Sequence, residues 1–103
     1  MNRMRYDKLV RDNIPEYIKM KGEVPIFHIA NDKEYWEKLK EKIQEEMEEF
    51  FESESMEEIA DIQEVIDAIC VYKKFNKKKL EIIQQKKAKE RGQFKKRIIL
   101  EES

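Results

Sequence analysis

Several residue types are scarce in this sequence, and each scarcity excludes a class of protein. Two glycines and two prolines in 103 residues leave few positions for the tight turns that hairpin-rich β folds need. The lone cysteine, Cys70, cannot form a disulfide within the chain, which favours a reducing, cytoplasmic setting. The lone histidine, His28, excludes a ferritin-like di-iron bundle, because that design uses two Glu-x-x-His motifs.

Long apolar segments are absent as well. No apolar run approaches the roughly 18 residues that cross a bilayer. Residues 1–10 also lack the apolar stretch of a secretory signal. We therefore expect a soluble, cytoplasmic protein with no membrane partner.

Charges of the two signs nearly cancel, to a net −1, but they are segregated along the chain. Residues 34–67 hold 14 acidic against 3 basic residues, and residues 73–97 hold 12 basic against 2 acidic. This pattern suits a metal site next to a region that attracts phosphates, although two solvated helix faces would also produce it. The acidic segment would repel a nucleic-acid backbone and no recognised binding motif is present, so a nucleic-acid partner is disfavoured.

Helix-forming residues dominate the sequence and predict an all-α, four-helix bundle-like domain spanning residues 1–103. We expect helices at about residues 13–21, 32–53, 56–75 and 77–91, with Asn31 or Asp32 capping the second. That helix would be about 33 Å long, which is long for so small a monomer. A homo-oligomer, either a dimer or a dimer of dimers, is therefore expected.

Two acidic pairs point most directly to chemistry. Glu46 and Glu49 lie in the second predicted helix, and Glu58 and Asp61 lie in the third. The i, i+3 spacing puts both members of a pair on one helix face, and Glu46 borders the apolar stripe, where a surface glutamate would be out of place. If the helices fold back on each other, the carboxylates converge and need cations to offset their repulsion. Oxygen ligands of this kind suit Mg²⁺ or Mn²⁺.

Each of these acidic residues also has an ordinary explanation. Glutamate is a good helix former, and charge-rich helices produce Glu-x-x-Glu by chance. Ser55 and Glu58 also match a capping box, in which the Glu58 carboxylate accepts a hydrogen bond from the backbone N–H of Ser55. Capping of that kind would compete with metal binding by Glu58.

The sequence around the two pairs resembles the all-α nucleotide pyrophosphohydrolases, the MazG-like and phosphoribosyl-ATP pyrophosphohydrolase-like superfamily. The paired motif is Glu45-Glu46-x-x-Glu49 followed by Glu58-x-x-Asp61. Similar segments lie outside this motif, at residues 6–15 (YDKLVRDNIP), 35–39 (YWEKL), 57–66 (EEIADIQEVI) and 86–94 (KKAKERGQF). The resemblance covers nearly the whole chain.

This resemblance implies a MazG-type fold and Mg²⁺-dependent cleavage of a nucleoside triphosphate, or a related nucleotide, between its α- and β-phosphates. The products would be a monophosphate and pyrophosphate. It implies metal ligation by Glu46, Glu49, Glu58 and Asp61, with Mn²⁺ as a substitute ion. Glu45 would be a further ligand or the group that orients the attacking water.

Four basic residues are candidates for the substrate phosphates, because arginine and lysine are the usual phosphate partners. They are Lys8, Arg11, Lys87 and Arg91. Glu64, one turn beyond Asp61, would support the site from outside the ligand set. The alternative function is a non-catalytic helical dimerisation or interaction module, in which the charges serve solubility and pairing.

Overall fold

The computed structural model describes residues 4–103 and confirms the all-α prediction. Four helices follow one another: α1 (Ile14–Met20), α2 (Asp32–Ser53), α3 (Met56–Lys73) and α4 (Lys77–Arg91). Residues 4–103 contain no strand. The helix bounds lie within two residues of the predicted ones, whereas the bundle arrangement and the MazG-type fold stay predictions.

The chain divides into two compact units, of which the first ends at Ile69 and the second covers Cys70–Ser103. The division falls within α3. The first unit contains α1, α2 and most of α3, and therefore all the acidic residues of the predicted metal site. The second unit contains α4 with Lys87 and Arg91. The prediction of one domain over the whole chain stays a prediction.

The hairpin of α2 and α3 is fixed by local signals at its ends. Of the two predicted N-caps of α2, Asn31 is the one observed, and its side-chain oxygen accepts a hydrogen bond from the Glu34 N–H at 2.9 Å. At the other end, Glu54 adopts a left-handed conformation (φ 51°) and its N–H donates to the Phe50 carbonyl. Only two residues separate α2 from α3, so α3 returns beside α2.

The end of α3 was predicted two residues too late, at residue 75. The helix ends at Lys73 because Lys74 is left-handed (φ 59°). The Lys74 N–H donates to the Val71 carbonyl, and the Phe75 N–H donates to the Cys70 carbonyl. These two bonds form a Schellman motif. Its left-handed position, which is usually a glycine, is occupied here by Lys74.

The core of the described residues is small. Leu39 on α2 is fully buried and Val65 on α3 is 8% exposed, and these are the buried apolar residues within 4–103. Glu46 is buried with them, at 6% exposure. Within the same residues, no helix combines the length and the apolar composition that a membrane span requires.

Candidate metal centre

Two groups of carboxylates form in the first unit, and Glu46 belongs to both. In the first group, one oxygen each of Glu45, Glu46 and Glu49 lies within 4.8 Å of the others. In the second group, oxygens of Glu46, Glu58 and Asp61 meet the same limit. The structure therefore brings together the five acidic residues of the paired motif.

The two helices place these side chains for simple reasons of spacing. Glu46 and Glu49 lie one turn apart on α2, and Glu58 and Asp61 lie one turn apart on α3. The short connection after Ser53 brings the first turns of α3 opposite the last turns of α2. Glu46 faces α3, so it can join both groups.

Glu46 is the most unusual member because its carboxylate is buried without full hydrogen bonding. The residue is 94% buried, and among residues 4–103 no group donates a hydrogen bond to its Oε2 atom. The Oε2 atom of Glu58 is buried and unpartnered in the same way. A buried carboxylate oxygen without a donor is costly, and a cation in contact with it would remove that cost.

Repulsion and loss of solvation change the acidity of the group. Burial, then the close approach of Glu46 and the charge of Glu49, raise the pKa of Glu58 to about 7. Loss of solvation and the charge of Glu46 also raise the pKa of Glu49. A divalent cation would favour the ionised forms and reverse both shifts. The donor set consists of anionic oxygens, which fits Mg²⁺ or Mn²⁺ better than softer metals.

The capping box does not compete for Glu58. The Glu58 N–H does donate to the Ser55 hydroxyl, at 3.4 Å. However, the Ser55 N–H is taken by the Ser53 hydroxyl, at 3.3 Å, and not by the Glu58 carboxylate. Half of the box is therefore formed, and the Glu58 carboxylate is directed to the acidic cluster instead.

Two lysines neutralise part of the first group. Lys8 donates to Glu45 at 3.0 Å, and this hydrogen bond, followed by the charge of Glu45, raises the pKa of Lys8. Lys42 lies 3.7 Å from Glu45 and 3.4 Å from Glu46 Oε1. Burial raises the pKa of Glu45, but the hydrogen bond from Lys8 and the charges of Lys42 and Lys8 outweigh it and lower that pKa overall.

Arg11 performs the same role in the second group. Its Nη2 atom donates to Asp61 at 2.7 Å, and its Nη1 atom lies 3.8 Å from Glu64. The hydrogen bond to Asp61 raises the pKa of Arg11. Both N-terminal cations predicted to bind substrate phosphates are thus paired with carboxylates of the cluster, and Glu64 contacts the site through Arg11.

The other two predicted phosphate partners lie in the second unit. Lys87 and Arg91 line one cavity of about 500 Å³, together with Phe94 and neighbouring residues of the end of α4. The structure therefore brings Lys87 and Arg91 to one basic, aromatic surface of their own unit.

Lys38 and Lys42 were missed at the level of sequence. Lys42 stands three and four residues before Glu45 and Glu46, a spacing that favours ion pairs on a helix and could have identified it. Lys38 donates to the backbone carbonyl of Asp7 at 2.7 Å. No sequence signal indicates that bond, because it joins an irregular segment to a helix 31 residues away.

Comparison with known proteins adds one short similarity. A Mycolicibacterium smegmatis protein described as uncharacterized is 45% identical over 40 residues, which make up 39% of this chain and 41% of that protein. The chain thus matches less than half the length of this relative. No family model matches the chain, and no solved structure matches it.

Proposed function

We propose that this protein is a Mg²⁺-dependent nucleotide pyrophosphohydrolase with a MazG-type fold. It would cleave a nucleoside triphosphate or related nucleotide between the α- and β-phosphates. One observation carries the proposal furthest: the buried Glu46 carboxylate is shared by two acidic groups and keeps an oxygen without a donor among residues 4–103. Surface charges that served only solubility would stay in water, where each oxygen is hydrogen-bonded.

The residues of the cluster take roles according to their positions. Glu46, Glu49, Glu58 and Asp61 would hold the metal, and Glu45 at the edge of the first group would be a further ligand or would orient the attacking water. A divalent cation held by these carboxylates would supply positive charge, which offsets the negative charge that develops during phosphate cleavage.

The positive residues have less direct support. Lys8 and Arg11 lie against the cluster, where phosphates bound to the metal would reach them. Lys87 and Arg91 share a cavity in the second unit, and their role in phosphate binding rests on the sequence resemblance. Arginine can bind phosphate oxygens in pairs, so Arg11 and Arg91 are the stronger candidates.

The test is release of pyrophosphate from a panel of canonical and modified nucleoside triphosphates, with Mg²⁺, Mn²⁺ or a chelator. Glu49→Gln and Asp61→Asn should abolish turnover without loss of helicity. The chain supplies matched controls, because Glu48 and Asp67 are exposed residues on the same helices, outside both carboxylate groups. Glu48→Gln and Asp67→Asn should keep normal turnover. Normal turnover by either cluster variant would refute the assignment of ligands.

The alternative, a non-catalytic dimerisation or interaction module, is favoured by a different observation. Many large apolar side chains on the helices are at least 39% exposed, among them Phe51, Ile59, Ile66, Leu80 and Ile83. A module of this kind would show no change of melting temperature with millimolar Mg²⁺, whereas a metal-binding enzyme is stabilised. Melting curves with and without Mg²⁺ separate the two functions.

The same exposed residues support self-association whichever function holds. Two buried apolar side chains within residues 4–103 make a small core for a domain of this length. We propose a homo-oligomer, with a dimer as the smallest form, that covers part of this apolar surface. Sedimentation equilibrium gives the oligomeric state directly, and a monomer across micromolar concentrations would contradict the proposal.

A further inference from the structure

The N-terminal segment lies across the carboxylate cluster, and we name residues 7–11 the cationic strap. Lys8 pairs with Glu45 on α2, and Arg11 pairs with Asp61 and Glu64 on α3. The strap therefore contacts both helices of the hairpin. Each cation neutralises a member of a different carboxylate group, so the two groups are bridged by five consecutive residues.

The strap is fixed at both ends by the backbone. At its start, the Asp7 carbonyl accepts a hydrogen bond from Lys38 of α2, and Asp7 has a positive φ of 45°. At its end, the Ile14 N–H donates to the Arg11 carbonyl and leads the chain into α1. Between these points, no backbone hydrogen bond joins residues 8–10 to the rest of the described chain. The side-chain ion pairs of Lys8 and Arg11, together with the half-buried Leu9, therefore hold the strap in place.

A metal ion at the cluster would compete with the strap cations for the same carboxylates, those of Glu45 and Asp61. A divalent ion held by Glu45 or Asp61 would lie within a few ångströms of the Lys8 ammonium or the Arg11 guanidinium, and repulsion at that distance is strong in a partly buried site. The site is more than an acidic surface patch, because the Oε2 atom of the 94% buried Glu46 lacks a donor among residues 4–103. The strap cations neutralise Glu45 and Asp61 but donate no hydrogen bond to this atom.

We propose that the cationic strap is an exchangeable counter-ion, which holds the carboxylate cluster together in the metal-free protein and is released from Glu45 and Asp61 when a divalent cation binds. This inference rests on the proposed function, because it requires the cluster to bind such a cation. Once released, Lys8 and Arg11 stand beside the metal with unpaired positive charge. The substrate class that fits them is a polyphosphate bound through the metal.

Calorimetric titration with MgCl₂ alone tests the exchange without any nucleotide. Lys8→Gln should bind Mg²⁺ about two- to fivefold more tightly than Lys19→Gln, which is the range expected from losing one partly exposed ion pair. Lys19 is the matched control because its ion pair, with Glu16, lies outside the cluster and its loss changes the net charge equally. Arg11→Gln is compared in the same way with Arg97→Gln, since Arg97 is exposed and belongs to neither the cluster nor the strap.

Each result of the titration has a definite meaning. Equal affinities of Lys8→Gln and Lys19→Gln, with heat taken up or released in both, would overturn the strap and leave the proposed function standing. No binding of Mg²⁺ or Mn²⁺ by the wild type would overturn the proposed function. Lys8→Arg keeps the positive charge, so its affinity should stay near that of the wild type.

Limited proteolysis of the unaltered protein gives a second test that needs no variant. Trypsin must take the Lys8 side chain into its own pocket, so the Glu45 pair protects the bond after Lys8. Added Mg²⁺ should speed cleavage there several-fold relative to the bond after Lys95, an exposed residue outside the cluster. General stabilisation by Mg²⁺ would slow both cleavages, so an unchanged or slower relative rate at Lys8 would refute the release.

Discussion

Glu46→Gln is expected to raise the melting temperature of the metal-free protein and to remove most of its response to Mg²⁺. The change keeps the shape of the side chain and removes a charge that is 94% buried. The new amide can also donate a hydrogen bond to Glu49 or Glu58, whose oxygens face it. Removal of one charge from a buried ion pair usually destabilises a protein. Here the same kind of change should stabilise it.

The magnitude follows from two opposing contributions. An unsatisfied buried polar group costs about 1–3 kcal/mol, and a charged group costs more. Against this, the pair with Lys42 at 3.4 Å is lost, but Lys42 keeps Glu45 at 3.7 Å, so this loss stays below about 1 kcal/mol. The net gain is about 1–2 kcal/mol, or roughly 4–15 °C for a chain of this size.

Magnesium should then remove most of this difference. At a free Mg²⁺ concentration ten times the dissociation constant, the wild type gains about 1.4 kcal/mol from binding. This gain is similar to the advantage of the variant, so the two melting temperatures should converge in Mg²⁺ and separate in a chelator.

Differential scanning fluorimetry in a chelator and in a Mg²⁺ series measures both effects. Glu48→Gln is the control on the same helix, and as an exposed change it should stay within about 0.5 kcal/mol of the wild type. If Glu46→Gln melted at or below the wild-type temperature in chelator, the buried carboxylate would not be the burden that its geometry indicates. A cation at this position would then relieve no cost in the metal-free protein.

Three further outcomes are expected. The pKa of Glu58 is raised to about 7, so between about pH 4.5 and about pH 7 the folded state binds more protons at this group than the unfolded state. The contribution of Glu58 to stability therefore falls as the pH rises through this window. Melting curves in chelator should show this fall, and Glu58→Gln or added Mg²⁺ should flatten it. Leu39→Ala truncates the one fully buried side chain of residues 4–103 and should lower the free energy of urea unfolding by about 2–5 kcal/mol. A loss no larger than that from truncating an exposed leucine would contradict the observed core. Asn31→Ala should cost about 1 kcal/mol through the lost cap of α2, and Asn31→Asp should restore it.

The helices could be predicted from sequence because their signals are local. Periodicity and the Asn31 cap lie within or next to the elements that they define. The end of α3 is predicted less accurately, because no sequence signal indicates the positive φ of Lys74. Tertiary context, and not residue type, decides such a position.

The candidate site was predictable in part for a related reason. The i, i+3 pairs and the short connection between α2 and α3 are sufficient to bring the carboxylates together. By contrast, Lys8 meets Glu45 across 37 residues and Arg11 meets Asp61 across 50. The strap has no periodic pattern that would align it with either helix, so sequence identified its cations without identifying their present partners. In the capping box, the Ser55 N–H donates to the Ser53 hydroxyl and not to the Glu58 carboxylate. No sequence motif indicates this choice of acceptor.

The facing carboxylates of the α2–α3 hairpin impose a cost that is large relative to the stabilisation by its small apolar core. Two buried apolar side chains within residues 4–103 stabilise the contact by only a few kcal/mol at about 1.5–3 kcal/mol each. The acidic groups on the facing turns oppose that contact, and Lys8, Arg11 and Lys42 offset them only in part, since Oε2 of Glu46 and Oε2 of Glu58 keep no donor among the described residues. A chain selected for stability alone would place amides or apolar side chains at these positions, because neutral replacements of buried charges are often more stable. The buried carboxylates are therefore better explained by a cation that they bind than by solubility. Melting of Glu46→Gln in chelator measures what the buried charge costs, and melting in Mg²⁺ measures what the bound cation restores.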